Sequence, residues 1–252
     1  MQSSRHSWIW IRTALVLATA LAVAPGAGAT LVAAWDFDAG TAADVSGTPP
    51  AYDLAAVGGG PDLSGGFARF SGDEGSPAYL EVAGPGGMPD WTVSLWVRTQ
   101  GQLDQGSFQG IFSNNTASGA SWSWQIESFG GVYQWRNQAG TFVIGAPSAL
   151  GEWDHIAIRK IGGNDGDIWL NGIQVAAALG GNPGGLQNFR LGTNRNSNNF
   201  WEGDVDDAQV FDSVEDPLAL FLAGTPLPEP SSLVLLVSGL VGLTLLGRRR
   251  RG

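Results

Sequence analysis

Cysteine is absent from the 252 residues, and histidine occurs only at His6 and His155. The lack of cysteine excludes disulfide bonds, thiolate metal sites and cysteine nucleophiles. His6 lies in an N-terminal segment that reads as a leader peptide, as argued below. A Ser-His-Asp triad or a histidine-based zinc site would therefore depend entirely on His155.

Basic residues are scarce in the middle of the chain. The formal net charge is −10, and six of the 13 basic residues are terminal arginines: Arg5, Arg12, Arg248, Arg249, Arg250 and Arg251. The remaining part of the chain is therefore strongly acidic and repels phosphate backbones, so we expect no nucleic-acid partner. The acidity fits either a solvated acidic surface or sites for divalent cations.

Long apolar runs occur only near the two ends. Residues Thr13–Ala24 form an apolar run that follows two arginines, and Ala27–Ala29 is a small-x-small tripeptide. This order predicts a secretory signal peptide over residues 1–29, with cleavage before Thr30. An uncleaved anchor helix is the alternative interpretation.

Helical periodicity is almost lacking in the middle of the chain, with one candidate at Asp216–Gly224. Short strand-like runs alternate with Gly, Asn, Asp and Pro, and Trp91–Thr99 alternates strictly, which predicts a half-buried strand. Turn residues at 164–166 and Leu170–Gly172 predict two tight turns. Strands without intervening helices cannot form parallel βαβ units, so we predict an all-β fold with antiparallel sheets, either a sandwich or a barrel.

Nine short motifs occur in a characteristic order: "AWDFD", "DVSG", "FARFSGD", "YLEV", "WTVSLWVRT", "GEWDHIAI", "IWLNGIQV", "RLGT" and "FWEGDVDDAQVF". Together they resemble the bacterial laminin-G-like, concanavalin A-like jelly-roll domain over Leu31–Phe221. The resemblance implies an antiparallel two-sheet β-sandwich, here given the boundaries 30–224. Members of that family mostly bind carbohydrate, protein or surface ligands, and related folds include glycoside hydrolases and polysaccharide lyases. In this family His155 would serve packing and hydrogen bonding.

Acidic residues suggest a calcium site and no catalytic pair. A glycosidase needs two carboxylates about 5–9.5 Å apart, and the Glu-x-Asp-x-x-Glu run of the glucanase relatives is missing. In concanavalin A-like relatives an ion often ties the first strand to the last, which implies Ca²⁺ ligands at Asp36, Asp38 and Asp206 here. Strict alternation puts Asp206 on the core-facing side with Ala208 and Val210, where a carboxylate needs a partner. Carboxylates that cap turns without a metal are the alternative.

Aromatic residues offer a second kind of site. The candidates on two strand-like runs are Trp122, Trp124, Tyr133 and Trp135. Their rings could stack on sugar faces while Gln125, Arg136 and Asn137 bond hydroxyls. Alternating aromatics in a sandwich also commonly form the core, and this interpretation stays open.

The C-terminal segment 225–252 is a further signal. Its elements are a Pro-Glu-Pro triplet, a charge-free run at Ser231–Gly247, and a terminal basic cluster: Pro228, Glu229, Pro230, Arg248, Arg249, Arg250 and Arg251. The apolar run is long enough for a transmembrane helix, and its arginines should stay cytoplasmic. The segment resembles the PEP-CTERM sorting signal of Gram-negative, polysaccharide-producing bacteria. That resemblance implies an exosortase-type transpeptidase as partner and a transient stay in the inner membrane.

The sequence thus predicts an exported, non-enzymatic binding or adhesion module, sorted to the cell surface or extracellular matrix, with a polysaccharide or surface ligand. A carbohydrate-active enzyme with a degenerate or true site is one alternative. A purely structural matrix protein is another.

Overall fold

Two antiparallel sheets of seven strands each form the described part of the chain, which comprises residues 30–101, 108–115, 123–137, 140–162, 165–177 and 184–224 of a computed structural model. The strands are β1 Leu31–Trp35, β2 Ala55–Gly58, β3 Ala68–Ser71, β4 Ala78–Gly86, β5 Trp91–Thr99, β6 Gln109–Asn114, β7 Trp124–Phe129, β8 Val132–Arg136, β9 Thr141–Gly145, β10 Trp153–Ile161, β11 Asp165–Leu170, β12 Ile173–Ala177, β13 Leu186–Leu191 and β14 Glu202–Phe211. One helix, α1, spans Pro217–Ala223. The predicted all-β antiparallel sandwich is confirmed.

The first sheet has the strand order β1-β14-β5-β10-β11-β12, with β3 also paired to β14, and the second has the order β2-β4-β13-β6-β7-β8-β9. Their inner faces supply one continuous hydrophobic core. Its largest fully buried side chains come from both sheets and the connecting segments: Trp35, Trp91, Trp124, Trp135, Trp201, Tyr133, Phe37, Phe70, Phe112, Phe189, Leu80 and Leu95. Burial of aromatic surface on this scale is the main stabilising contribution in such a sandwich.

Strand β5 has the predicted bounds and inward face but is buried on both sides. Its outward residues Ser94 and Trp96 are 3% and 4% exposed. The outer face is covered because α1 packs on it, with the Phe221 ring stacked on Trp96 at 5.5 Å. The prediction of a half-buried strand is therefore wrong, since the sequence alternation does not reveal which elements cover the outer face.

Helix α1 confirms the helical candidate near the end of the domain. Asp216 is its N-cap, and the Asp216 side chain accepts a hydrogen bond from the Leu218 amide. Pro217 occupies the first turn, where its missing N–H leaves no bond unmade. This short helix covers the outer face of the first sheet at Trp96 and His155, and the described residues place no helix on the second sheet's outer face.

Of the two predicted turns, the one at Leu170–Gly172 joins paired strands, whereas Asp165 and Gly166 of the other already belong to β11 and residue 164 lies outside the described residues. Strand β10 pairs with β11 from Ile156↔Leu170 to Ile161↔Asp165, and β11 continues into β12. The turn between β11 and β12 holds Asn171 and Gly172 at φ values of 51° and 73°. Two positive φ values in succession are the requirement of a type I′ hairpin turn, which Asn-Gly satisfies best.

Both terminal segments, 1–29 and 225–252, lie outside the described residues. Among the residues that are described, no helix is long and apolar enough to cross a membrane. The predicted signal helix and transmembrane helix therefore stay predictions.

Candidate functional site

Three of the four candidate sugar-stacking aromatics lie in the core. Trp124, Tyr133 and Trp135 have no exposed surface. Trp124 stacks on Trp135 at 4.7 Å and on Trp91 at 5.4 Å between ring centroids. A ring without exposed surface cannot stack on a ligand, so the structure assigns these three residues to packing. Trp122 lies outside the described residues.

The same strands present polar side chains on their other face. Strand β7 alternates, so Trp124 and Ile126 point into the core while Gln125 and Glu127 lie on the outer face of the second sheet. Cross-strand pairing places Gln134 opposite Glu127 and Arg136 opposite Gln125. We call the group Gln125, Glu127, Gln134, Arg136 and Arg195 the Glu127 cluster.

Glu127 is the centre of this cluster. Its carboxylate is fully buried and accepts hydrogen bonds from Gln134 Nε2 at 2.8 Å and from Arg136 Nε at 2.7 Å. The second oxygen accepts a bond from Gln125 Nε2. A buried carboxylate requires such partners because its desolvation is otherwise costly. The set is therefore rigid, with both carboxylate oxygens already engaged.

A loop between β13 and β14 delivers Arg195 to the cluster. The loop is closed on itself by Asn194, whose Nδ2 donates to Asn198 and Asn199. It lies directly on β6, because a Cβ at Gly110 would be 2.0 Å from the Asn194 amide nitrogen. The Arg195 amide in turn donates to Gln125 Oε1 at 3.2 Å. Arg195 is thus placed beside Arg136 by backbone contacts.

Electrostatics in the cluster are dominated by its two guanidinium groups. Burial lowers the pKa of Arg195 from its usual value, and the positive charge of Arg136 lowers that pKa further. The Glu127 carboxylate opposes both effects. Two cations therefore compete for one carboxylate at this site.

Two aromatic rings border the cluster. Phe108 and Phe129 are partly exposed and stack with ring centroids 4.2 Å apart. The Arg136 guanidinium carbon lies 4.0 Å from the centroid of Phe108. A polar cluster beside partly exposed rings is the usual composition of a saccharide-binding surface.

Sequence reasoning identified this site only in part. It named Gln125 and Arg136 as hydrogen-bonding residues, and it also named Asn137, which is buried at the end of β8. It missed Glu127 and Arg195. The alternation of β7 could have placed Glu127 with Gln125, whereas no local signal connects Arg195, which is 70 residues beyond Gln125 in the chain, to this face.

The predicted calcium ligands lie on the other sheet. Asp204 and Asp206 share the outer face of β14, opposite Arg98 and Trp96 respectively. A β-bulge then interrupts the pairing, with Asp207 at φ 44°, so Ala208 and Val210 point inward instead. The expectation that Asp206 faces the core with Ala208 and Val210 is wrong, because the extra residue of a bulge reverses the alternation.

Four carboxylates approach one another at the bulge. The pKa of Asp206 rises to about 8, first through burial and then through the charges of Asp207, Asp38 and Asp36. Within the described ranges, however, no three acidic or histidine side chains are placed to share a metal ion. Calcium binding at Asp36, Asp38 and Asp206 therefore stays a prediction, without a preformed ligand set.

We expect the substitution Asp206→Asn to stabilise the protein at alkaline pH. The folded protein retains a proton on Asp206 between its ordinary pKa of 3.8 and about 8, which the unfolded chain releases. The stabilisation of the folded protein by this proton is fully present below pH 3.8 and is lost as the pH rises through 8. The free energy of unfolding of the wild type therefore falls across that pH window. Because the variant does not titrate, denaturation should show its stability advantage over the wild type to be larger at pH 8.5 than at pH 5, by roughly 2–4 kcal/mol.

Two comparisons decide this prediction. An equal effect at both pH values would remove the titration argument and leave a packing effect. Melting of the wild-type chain at pH 8.5 with calcium and with EGTA tests the predicted ion, and an unchanged melting temperature would remove it.

His155 is buried and has no triad partners among the described residues. His155 is 1% exposed, its Nε2 lies 2.7 Å from Ser94 Oγ, and its ring lies 5.1 Å from that of Trp96. Its Nδ1 has no hydrogen-bond partner within the described residues, whereas a triad requires an acid there. Burial lowers the pKa of His155 to about 4, so it is neutral at physiological pH.

A carboxylate pair of the glycosidase kind does not form around Glu127 on the described outer face of the second sheet. Glu81 lies on the same face, but β13 and β6 separate its strand from β7. Three strand spacings amount to about 14 Å, beyond the roughly 5–9.5 Å range of hydrolytic pairs. Glu127 itself is engaged by three donors.

A cleft of about 480 Å³ lies at one end of the first sheet. Its lining residues are Gly60, Asp62, Arg69, Phe70, Ser71, Gln100 and Glu202. Arg69 is tied to the buried Asp204 at 2.8 Å and is about half exposed. The cleft lies on the other sheet from the Glu127 cluster.

Family comparison agrees with the two-sheet architecture. The laminin G-like family model described as the concanavalin A-like lectin/glucanases superfamily matches residues 75–217, more than half of the chain. The chain belongs to this family. The match includes β5, β7, β8, β10 and β14, and hence the whole Glu127 cluster. No curated protein sequence matches the chain.

Solved structures of similar fold are distant in sequence. Domain 4 of AbnA, a GH43 extracellular arabinanase from Geobacillus stearothermophilus in complex with arabinotriose, aligns with a TM-score of 0.54 and 16% identity over 75% of this chain and 95% of that one. A botulinum neurotoxin type C structure, whose cell entry depends on two ganglioside molecules, aligns with a TM-score of 0.57 and 12% identity. The binding domain of serotype D aligns with a TM-score of 0.55 and 11% identity. Each toxin alignment covers 77% of this chain and 51% of the toxin chain, so this chain corresponds to about half of each.

Proposed function

We propose that the chain is an exported, non-enzymatic module that binds carbohydrate or extracellular matrix through the outer face of its second sheet. The observation that carries the proposal is the Glu127 cluster, a fixed group of hydrogen-bonding side chains beside the partly exposed rings of Phe108 and Phe129. Support also comes from the fold, which AbnA domain 4, solved with arabinotriose, and the ganglioside-dependent toxin share. Fixed polar groups orient a saccharide, and apolar rings contribute affinity.

The same proposal includes export and sorting. The N-terminal segment 1–29 directs the chain through the inner membrane, and the segment 225–252 holds it there until an exosortase-type transpeptidase acts near Pro228–Pro230. The mature domain then reaches the cell surface or the extracellular polysaccharide matrix. The support is the order of signals in the sequence, and peptides from Ser231 onward in surface-released protein would contradict the sorting step.

A structural calcium ion at Asp36, Asp38 and Asp206 belongs to the proposal as well. Its support is the mutual repulsion of the carboxylates at the β14 bulge, which a divalent cation would relieve. The ion would hold the end of β1 against β14 and has no role in a reaction.

A polysaccharide pull-down with the full chain tests the binding function. We expect the chain to be retained by at least one matrix polysaccharide, and Phe129→Ala to weaken retention about fivefold because it removes ring contact beside the cluster. Leu150→Ala is the matched control, since Leu150 is an exposed apolar residue outside the two sheets.

Different outcomes separate the alternatives. Retention with no effect of Phe129→Ala would move binding away from the Glu127 cluster. Release of new reducing ends from a retained polysaccharide would favour the enzyme class. Absence of retention by every polysaccharide would favour a purely structural matrix protein.

A further inference from the structure

The charges of the Glu127 cluster are unbalanced in favour of the cations. Glu127 Oε1 accepts bonds from both Gln134 and Arg136, and Oε2 accepts the bond from Gln125. A carboxylate offers about four lone-pair positions, so little capacity remains for a second guanidinium. Within the described residues, the Glu127 carboxylate is therefore occupied mainly by Arg136 and the two glutamines.

Arg195 is the exception among the described arginines. Arg69, Arg98, Arg136, Arg159 and Arg190 each form an ion pair with a carboxylate at 2.6–3.1 Å. Arg195 has none among the described residues, where its side chain donates one hydrogen bond, from Nη1 to the Ser123 carbonyl at 3.4 Å. A partly buried guanidinium without a carboxylate of its own is energetically unfavourable.

Arg136 also has N–H donors that make no hydrogen bond to the described residues. Its hydrogen bond to the described residues is made by Nε alone, which leaves the two Nη groups for another acceptor. Both cations lie on the same outer face, because the Arg195 amide is bonded to Gln125 and Gln125 pairs with Arg136 across the strands. Guanidinium groups bind planar oxyanions in a two-pronged geometry.

We propose that Arg136 and Arg195 together bind the carboxylate of an acidic saccharide, a uronic-acid residue, whose sugar ring contacts the Phe108–Phe129 pair. This inference rests on the proposed carbohydrate-binding function and specifies the charge of its ligand. Phe108 has Phe129 on one face and the Arg136 guanidinium on the other, so the flat ring left to a ligand is that of the partly exposed Phe129. Such a ring favours a sugar over an acidic peptide, because it matches the face of a pyranose ring. The remainder of the domain is acidic and repels polyanions, so binding of an acidic polymer requires this local positive patch.

Paired polysaccharides provide the test. The full chain is titrated with polygalacturonate, alginate and hyaluronate, and with the carboxyl-reduced form of each. We expect the full chain to bind at least one acidic polymer, and carboxyl reduction of that polymer to weaken binding at least tenfold. Arg195→Gln should weaken binding of the acidic polymer by about the same factor and leave binding of the reduced polymer unchanged.

Two further variants control for charge and location. Arg69→Gln removes the same charge from the 480 Å³ cleft on the other sheet, and Asp204 there keeps Arg98 and Gln100 as donors. We expect this variant to bind the acidic polymer like the wild type. Arg195→Lys keeps the charge and loses the planar fork, so its affinity should lie between those of the wild type and Arg195→Gln.

Each contrary outcome has a distinct meaning. Equal binding of acidic and carboxyl-reduced polymers, or of neutral polymers only, would overturn the carboxylate inference and leave the proposed function standing. Equal binding of dextran sulfate or poly-glutamate would show general attraction of anions and would also overturn it. No binding of any polysaccharide would contradict both proposals, and a loss on Arg69→Gln equal to that on Arg195→Gln would show a general effect of lost positive charge and would overturn the assignment to Arg136 and Arg195.

Discussion

Replacement of Trp135 by alanine should lower the free energy of unfolding by about 3–5 kcal/mol. The Trp135 side chain has no exposed surface and stacks on Trp124 at 4.7 Å. Trp124 also packs against Trp91 and Phe112, so removal of one ring opens a cavity inside a continuous aromatic stack. A rigid antiparallel sheet cannot collapse around such a cavity, which puts the cost at the upper end of the range for large-to-small core substitutions.

Conservative and exposed substitutions test the cause of this loss. Trp135→Phe keeps a stacked ring and removes an indole N–H that has no partner among the described residues, so it should cost less than about 2 kcal/mol. Val143→Ala on the adjacent strand β9 changes a side chain that is 59% exposed and should have an effect within about 0.5 kcal/mol. Chemical denaturation of the three variants measures these differences.

Ligand binding gives a second, independent readout. At a temperature where Trp135→Ala remains folded, the variant should bind polysaccharide like the wild type, because the ring faces away from the Glu127 cluster. Unchanged stability together with lost binding would contradict the burial of Trp135 and restore its ligand-contacting role. The experiment thus separates the two interpretations that the alternating aromatics left open.

The alternation of side chains within a strand can be predicted from the sequence, but which of the two faces turns toward the core cannot. The runs around Trp124 and Trp135 have the period of a strand, and both strands form where that period predicts. Which set of side chains turns inward depends on the opposing sheet, and here the larger aromatic surface is buried because this yields the greater hydrophobic gain. The polar set, Gln125 and Glu127, then lies on the outer face of the second sheet, where it has almost no exposed surface and holds the partly exposed Arg136 in place.

Strand β14 shows that a β-bulge also limits how well side-chain direction can be predicted from sequence alternation. Asp206 and Ala208 are two residues apart, yet they point to opposite sides because Asp207 forms a bulge with positive φ. An aspartate tolerates this conformation better than most residues, although the sequence does not mark it as a bulge. The charges of Asp36 and Asp38 do act on Asp206, whereas the predicted orientation of the Asp206 side chain is wrong.

The two outer faces of the sandwich have different roles for reasons that local sequence does not encode. The outer face of the first sheet is closed by α1, which buries Trp96 and His155, and by the stacking of Arg98 on Trp153 at 4.4 Å. The second sheet instead receives the loop that carries Arg195, held by the absence of a side chain at Gly110. Long-range packing thus decides which elements cover each outer face, and local sequence does not reveal them.

Replacement of Asp204 by asparagine should lower the free energy of unfolding by about 3–5 kcal/mol, for electrostatic reasons. Asp204 is fully buried and accepts bonds from Arg69 Nε, Arg98 Nε and Gln100 Nε2, each at 2.8 Å. The substitution keeps the shape of the side chain, removes the negative charge and turns one acceptor into a donor. Arg98, enclosed by Phe67 and Trp153, would then remain partly buried as an uncompensated cation.

Glu74→Gln is the matched control for Asp204→Asn, since it removes one negative charge from a residue exposed in the loop between β3 and β4. Both variants are compared with the wild type by urea denaturation at low and at high salt. Because Asp204 is buried, its effect should persist at high salt, whereas an exposed ion pair would be screened. A loss below about 1 kcal/mol, or a loss that disappears in salt, would show that solvent and not Asp204 compensates the two arginines. A loss that persists would establish this network as the junction of β3, β5 and β14, since Arg69, Arg98 and Asp204 each come from a different strand.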